Sequence, residues 1–222
     1  MHGTEPPSDW IRRWSHLLPD GAPVLDVACG AGRHLRWFAG RGHPVTGVDR
    51  DAQALTLASQ TVLAPAAAIA PGARGTATTI PSATELLQAD IESGPWPWPG
   101  RRFGAVVVTN YLWRPLLPTL VDSVAPGGVL LYETFAVGQE TIGRPARPDF
   151  LLRPGELLAA CAGLRVVAFE DGFEPAAAAR PARFVQRIAA VREEVPAAGG
   201  EGHPTRHRLS LEWPDCPARA PQ

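Results

Sequence analysis

The sequence predicts an α/β protein built on a doubly wound, mostly parallel sheet, and three observations carry that prediction. The run from Pro23 to Asp49, PVLDVACGAGRHLRWFAGRGHPVTGVD, reads as strand, glycine turn, helix and second strand ending on an acid. Two further apolar runs, Thr84 to Ala89 and Phe103 to Val108, stop at polar residues, Asp90 and Thr109-Asn110-Tyr111. A turn, Ala125-Pro126-Gly127-Gly128, then feeds the apolar run Val129 to Phe135. Strands alternating with helical patterns mark parallel βαβ units, whose ligands lie outside the carboxyl ends of the strands.

Taken in order, Ser8 to Leu18 reads as a helix: Ser8 or Asp9 caps it, and Trp10, Ile11, Trp14 and Leu17 or Leu18 keep helical spacing. Pro19-Asp20-Gly21 ends it. Pro23 to Ala28 has the length and apolarity of a buried parallel strand, interrupted by Asp26. Gly30 and Gly32 allow the sharp turn and a close backbone approach. Leu35, Phe38 and Ala39 give His34 to Arg41 a helical period, stopped by Gly40 and Gly42. Ala52 to Leu63 is a further helix with Leu55, Ala58 and Val62 on one side. Residues 64–82, rich in Ala, Pro, Gly and Thr, read as an insertion or long surface loop. Pro95 to Pro99 is too proline-rich for a helix interior, and Trp96 and Trp98 are expected to cover a sheet face. Leu116 to Val124 suggests a helix broken or bent near Pro118, and Glu156 to Cys161 another. Leu164 to Phe169 and Phe184 to Val191 read as two last strands, and the Pro-rich stretch after 192 as a loose tail or an edge strand.

The glycine turn discriminates among ligands. A dinucleotide fingerprint would place glycine at position 35, which is Leu35, so the third glycine that accompanies a bound pyrophosphate is missing. Asp26 stands four residues before Gly30, where a carboxylate repels phosphate and suits a cationic amine. Asp49 sits about 20 residues beyond the turn, at the place of a ribose acceptor. S-adenosylmethionine has a ribose, an adenine, an amino acid and no phosphate, and it meets those demands.

Residue usage excludes other classes. The 222 residues carry a net charge of −1, which gives no electrostatic case for nucleic acid or an anionic membrane as main partner. Lysine is absent, which excludes Schiff-base chemistry, pyridoxal-phosphate attachment and a P-loop. The three cysteines, Cys29, Cys161 and Cys216, are far apart and imply neither disulfide framework nor metal site. The histidines fall in no ligand spacing, so no metal is expected. The apolar runs are too short for a membrane span and the N-terminus has no signal pattern, which makes a cytoplasmic protein the expectation.

Asp26-Val27-Ala28-Cys29-Gly30-Ala31-Gly32 resembles motif I of the class I S-adenosylmethionine-dependent methyltransferases, with Ala28 where glycine is usual, and Asp49 resembles their motif II acid. The block Tyr132-Glu133-Thr134-Phe135, with Gly143-Arg144-Pro145 and Pro148 to Leu157, is similar to that of small bacterial tellurite-resistance-related or thiopurine-type enzymes. The resemblance covers roughly residues 8 to 192. It implies a Rossmann-like seven-stranded sheet with an antiparallel last strand. It also divides the chain into a capping helix over 1–22, a methyltransferase domain over 23–192 and a tail over 193–222.

Carried over residue by residue, the resemblance implies S-adenosyl-L-methionine held by Asp26, Ala28, Cys29, Gly30 and Gly32 at the turn and by Asp49 and Arg50 after the second strand. Asp90 and Ile91 would take the adenine, and Asn110 and Tyr111 would border the methyl. Substrate-side candidates are Tyr111, His34, Glu133 and Arg33. For His34 a solvent-facing place at a helix N-terminus competes with a base, and for Glu133 a structural bond to a backbone N–H. Trp10 or Trp14 either packs on the sheet or walls the pocket, and the loop from Ala136 to Arg153 either closes over it or stays a solvated surface loop. The implied reaction is methyl transfer to a small-molecule nucleophile. A non-catalytic S-adenosylmethionine-binding module and a nicotinamide-dependent oxidoreductase are the alternatives; Leu35 and Asp26 speak against the latter.

Overall fold

Seven strands form one sheet in the order β3-β2-β1-β4-β5-β7-β6, seen in a computed structural model that describes residues 5–63, 83–177, 180–194 and 205–209. They are β1 (Val24–Val27), β2 (Val45–Asp49), β3 (Thr84–Gln88), β4 (Phe103–Thr109), β5 (Val124–Phe135), β6 (Arg165–Glu174) and β7 (Arg183–Val191). The first five run parallel, and β7 lies antiparallel between β5 and β6. This is the mostly parallel, Rossmann-like sheet with a reversed last strand that the resemblance implied; β7 alone is reversed.

Both faces of the sheet are covered, so its central strands are apolar without interruption. Along β4 the side chains alternate between two cores. Ala105 and Val107 join Trp10, Trp14, Leu35, Phe38 and Leu55 on one face, while Val106 and Val108 join Trp98, Leu120 and Leu157 on the other. The first face therefore carries α1 (Asp9–Trp14), α2 (Arg33–Ala39) and α3 (Ala52–Leu63). The second carries α4 (Leu117–Asp122) and α5 (Glu156–Ala160). Trp10 and Trp14 are buried packing residues, and the Trp10 indole N–H donates to the Ile188 carbonyl at 3.2 Å.

Local chemistry sets the helix starts. The Ser8 hydroxyl accepts the Trp10 N–H at 3.1 Å and caps α1. Asp51 caps α3 by accepting the Gln53 and Ala54 N–H groups. Pro118 does not break its helix: α4 begins at Leu117 after a short 3-10 turn, and Pro118 sits in the first turn, where a missing N–H costs nothing. β5 begins at Val124, ahead of the Pro-Gly-Gly turn, because Val124 pairs with Phe103 before the register shifts and resumes at Ala105 and Val129. β6 runs on to Glu174, beyond the expected Phe169, since β7 pairs with it along its whole length. Trp98 is buried and meets Phe103 edge-on at 6.0 Å.

The 64–82 insertion lies outside the described residues. Of the tail, residues 205–209 are described and form no strand; the Arg208 carbonyl lies 2.8 Å from His16 Nε2. No described helix is long and apolar enough to cross a membrane.

Candidate active site

The strand order reverses direction between β1 and β4, and a crevice opens there at the carboxyl ends. It contains a cavity of about 370 Å³. Ala28 lines it from β1, Asp49 and Arg50 from β2, Asp90 and Ile91 from β3, and Asn110 and Tyr111 from β4. These seven are sequence-predicted positions, brought together from four strand ends. Glu92, Leu112, Thr134, Phe135, Pro145 and Phe150 also line it. Thr134 and Phe135 had a signal in sequence, the end of an apolar strand; Pro145 and Phe150 had only the loop that follows it.

The turn after β1 is left-handed at three places, with φ +53° at Ala28, +52° at Gly30 and +78° at Gly32. At Gly32 a Cβ would stand 2.9 Å from that of Ala58, so this glycine also lets α2 and α3 touch. The Gly30 N–H donates to Asp49 Oδ2 at 2.8 Å, and the Asp51 N–H to Oδ1 at 2.9 Å. The two bonds hold the Asp49 carboxylate in one orientation with lone pairs left for hydroxyl donors. Asp90 accepts the Ser93 hydroxyl at 2.6 Å and the Glu92 N–H at 3.0 Å, and these bonds hold its carboxyl below the usual range. Asn110 ends β4 at φ +54°, a conformation asparagine tolerates better than most.

Asp26, Cys29, Gly30 and Gly32 lie at the turn but do not line this cavity, and neither do His34, Glu133 or Arg33. Asp26 is 1% exposed, and its Oδ2 has no hydrogen-bond partner. Cys29 is buried, and burial, then Asp26 and Asp49, push its thiol far up, so it is no nucleophile. His34 does not face solvent: it is 2% exposed, accepts the Ser8 N–H at Nε2 (3.2 Å) and places Nδ1 3.7 Å from Asp26 Oδ2. Among the described residues, Glu133 binds no backbone N–H. It takes the Ser8 hydroxyl at 3.0 Å and lies between Arg183 and Arg187, 3.4 and 3.3 Å away. Both expectations failed for one reason, that strand β7 and the N-terminal segment cover these side chains from far away in sequence. Arg33 reaches Thr109 at 3.5 Å.

The Tyr111 hydroxyl is buried without a hydrogen-bond partner, and burial, then the Glu92 and Asp90 carboxylates, raise the phenol. The hydroxyl therefore keeps its proton at neutral pH and can donate a hydrogen bond. Among the described residues no group of three or more His, Cys, Asp or Glu is placed to hold a metal ion.

The loop from Ala136 to Arg153 is pinned at both ends. Gln139, buried, accepts the Phe184 N–H at 2.9 Å and donates to the Arg144 carbonyl at 3.0 Å. Arg114 forks onto Glu156 at 2.7 and 3.0 Å and donates to the Asp149 and Leu151 carbonyls at 2.8 and 2.7 Å. Between those anchors the chain is largely exposed and brings Pro145 and Phe150 to the cavity.

Residues 24–128 match the methyltransferase-domain family, and the match runs from β1 into β5. No curated protein matches the sequence. Among solved structures, TehB from Haemophilus influenzae is similar over 86% of this chain at 16% identity with a TM-score of 0.62; the chain spans 63% of that protein. A TehB-like SAM-dependent methyltransferase from Corynebacterium glutamicum aligns over 86% of this chain and 90% of its own, at 17% identity and a TM-score of 0.54. The glycopeptide N-methyltransferase MtfA, solved with S-adenosyl-L-homocysteine, aligns over 85% and 91%, at 19% identity and a TM-score of 0.54. At these identities the likeness is one of fold.

Proposed function

We propose that the protein transfers a methyl group from S-adenosyl-L-methionine to a small-molecule nucleophile. The observation that carries the reading is the unpartnered, buried carboxylate oxygen of Asp26 beside the glycine turn, with Asp49 and Asp90 at the next two strand ends. A buried carboxylate without a partner is costly, and a cationic amine relieves it. The lining acids Asp49, Asp90 and Glu92 outnumber Arg50, so the cavity favours a cationic nucleoside over a diphosphate. Leu35, fully buried where a dinucleotide site has glycine, adds to that preference.

When bound, the cofactor supplies a methyl group on a sulfonium, an electrophile that needs no further activation. The protein's residues then act by placement. Asp26 holds the ammonium, Asp49 takes the ribose hydroxyls, and Asp90 with Ile91 takes the adenine, while Gly30 and Gly32 shape the turn. Asn110 and Tyr111 border the acceptor, and Tyr111 donates a hydrogen bond. Phe135, Pro145 and Phe150 keep water out. The volume is at the small end of ligand sites, about 300 to 1,000 Å³, which leaves beside the cofactor only a small acceptor. We assign this activity to residues 23–192.

Calorimetry with S-adenosylmethionine, S-adenosylhomocysteine and NADH tests the cofactor: the first two bind and NADH does not. Product detection across thiols, amines, selenite and tellurite tests the acceptor class. Binding of NADH, or methylation confined to a macromolecule, overturns the reading.

A further inference from the structure

The cavity at the strand ends is divided by charge. From β3 through β2, β1 and β4 to β5 it spans five neighbouring strand ends, about 19 Å at about 4.8 Å per strand. Its charged lining residues, Asp49, Arg50, Asp90 and Glu92, stand at or just after the ends of β2 and β3. At the other end the lining is Leu112 after β4, Thr134 and Phe135 of β5, and Pro145 and Phe150 of the loop that follows. Among the described residues no charged side chain lines that half.

The charged groups nearby are held elsewhere. Successive side chains of a strand alternate sides, so Thr134 meets the cavity and Glu133 does not. Glu133 is 1% exposed on the opposite face, with Arg183 and Arg187 at 3.4 and 3.3 Å. Arg147 pairs with Asp149 at 3.0 Å, its guanidinium 5.2 Å from the centre of the Phe150 ring, and neither it nor Arg144 lines the cavity. The loop instead offers apolar surface: Val137, Ile142 and Phe150 are all exposed, Phe150 at 38%. Apolar side chains gathered in the open on one loop mark a place that a ligand covers.

We infer that the β4–β5 half of the cavity is the acceptor subsite and takes a small, uncharged, apolar molecule, with Phe135 and Phe150 as the specificity-determining residues. The inference rests on the cofactor reading above, which sets the nucleoside over β2 and β3. A charged acceptor, oxyanion or ammonium, would shed its hydration shell in this half with no opposite charge to meet it. An apolar acceptor pays no such cost and covers two phenyl rings, and an aromatic one can set its own ring against them.

Three probes of nearly equal size test this, since they differ in charge at neutral pH: phenylmethanethiol is uncharged, benzylamine a cation and benzoate an anion. Each is titrated calorimetrically into the full chain saturated with S-adenosylhomocysteine. The thiol is expected to bind at least about tenfold more tightly than either charged probe. Phe150→Ala should weaken the thiol about two- to twelvefold and S-adenosylhomocysteine by less. Phe150→Asp supplies a carboxylate to the apolar half and should reverse the order of thiol and benzylamine. If neither variant folds, the order of the three probes on the wild type decides. A charged probe bound as tightly as the thiol, or none of the three bound, overturns the acceptor assignment and leaves the cofactor reading intact. So does an equal loss of thiol and S-adenosylhomocysteine in Phe150→Ala, or an unchanged order in Phe150→Asp. A wild type that binds no S-adenosylhomocysteine overturns both.

Discussion

Asp26→Asn separates function from stability at one atom. The native carboxylate is 1% exposed, has an oxygen with no hydrogen-bond partner, and lies 3.7 Å from a histidine ring. Two unit charges about 4 Å apart interact by about 4 kcal/mol at an effective dielectric near 20. Desolvation of both offsets most of that, and a hydrogen bond between charged groups nets about 1.5–3 kcal/mol. The variant should therefore bind S-adenosylhomocysteine about 10 to 150 times more weakly. Without ligand the sign reverses. Removing a buried, unpaired charge stabilises the fold by about 1 kcal/mol, which raises the melting temperature by about 2–4 °C at this size. Ligand at about 100 times the wild-type Kd stabilises the wild type by about 2.7 kcal/mol; a 30-fold weaker variant gains only about 0.9 kcal/mol. The melting order of the two proteins thus inverts on adding ligand. Thermal unfolding in both states, with calorimetric Kd values, reads this directly. Unchanged affinity, or a variant less stable without ligand and equally responsive to it, refutes the charge argument.

Arg114→Ala removes four hydrogen bonds that pin the cavity loop. With a guanidinium side chain 29% exposed, the expected cost is about 2–3 kcal/mol in urea unfolding, and Arg114→Lys recovers less than half. Burial of Glu156 opposes its ionisation, but the Arg114 hydrogen bond and the Arg153 N–H outweigh it and hold the carboxyl below its usual value. Its contribution is thus fully present above the unfolded value, near pH 4.3, and lost as pH falls through the lower folded value. The stability gap between wild type and Arg114→Ala should accordingly narrow in acid as Glu156 is protonated, leaving the share of the two carbonyl bonds. Ala28→Gly relieves a left-handed alanine costing about 1–2 kcal/mol against about 0.5–1 kcal/mol of glycine entropy. It should raise the melting temperature slightly, by about 1–3 °C, where the same change in a helix lowers it. Gly32→Ala meets both a φ of +78° and Ala58 at 2.9 Å, and should cost about 2–4 kcal/mol with no compensating gain in affinity.

The first half of the site was legible because its signals are local. Asp26, the glycines at 30 and 32, and Asp49 lie within one strand–turn–helix–strand unit, so spacing alone placed the turn and the two acids. Asp90 and Asn110 were legible as polar residues that end apolar strands. The environment of His34 was not, because the Ser8 N–H that occupies it arrives from 26 residues upstream. Glu133 was misjudged because its arginines reach it only through the β5–β7 pairing, and sequence order does not announce that β7 slips between β5 and β6. Pro145 and Phe150 sit in a loop whose path is set by the Arg114 fork and Gln139, contacts between residues about 35 to 45 positions apart. Pro118 shows the converse: its rule was known, and only its position within the turn decided the outcome.

Three acids, Asp26 within β1, Asp49 at the end of β2 and Asp90 just after β3, are proposed to select a cationic nucleoside. A crystal structure with S-adenosylhomocysteine tests this selection most directly. The account predicts the ammonium on Asp26, the ribose hydroxyls on Asp49 and the adenine against Ile91. A ligand bound elsewhere, or one whose amino group points away from Asp26, would contradict it.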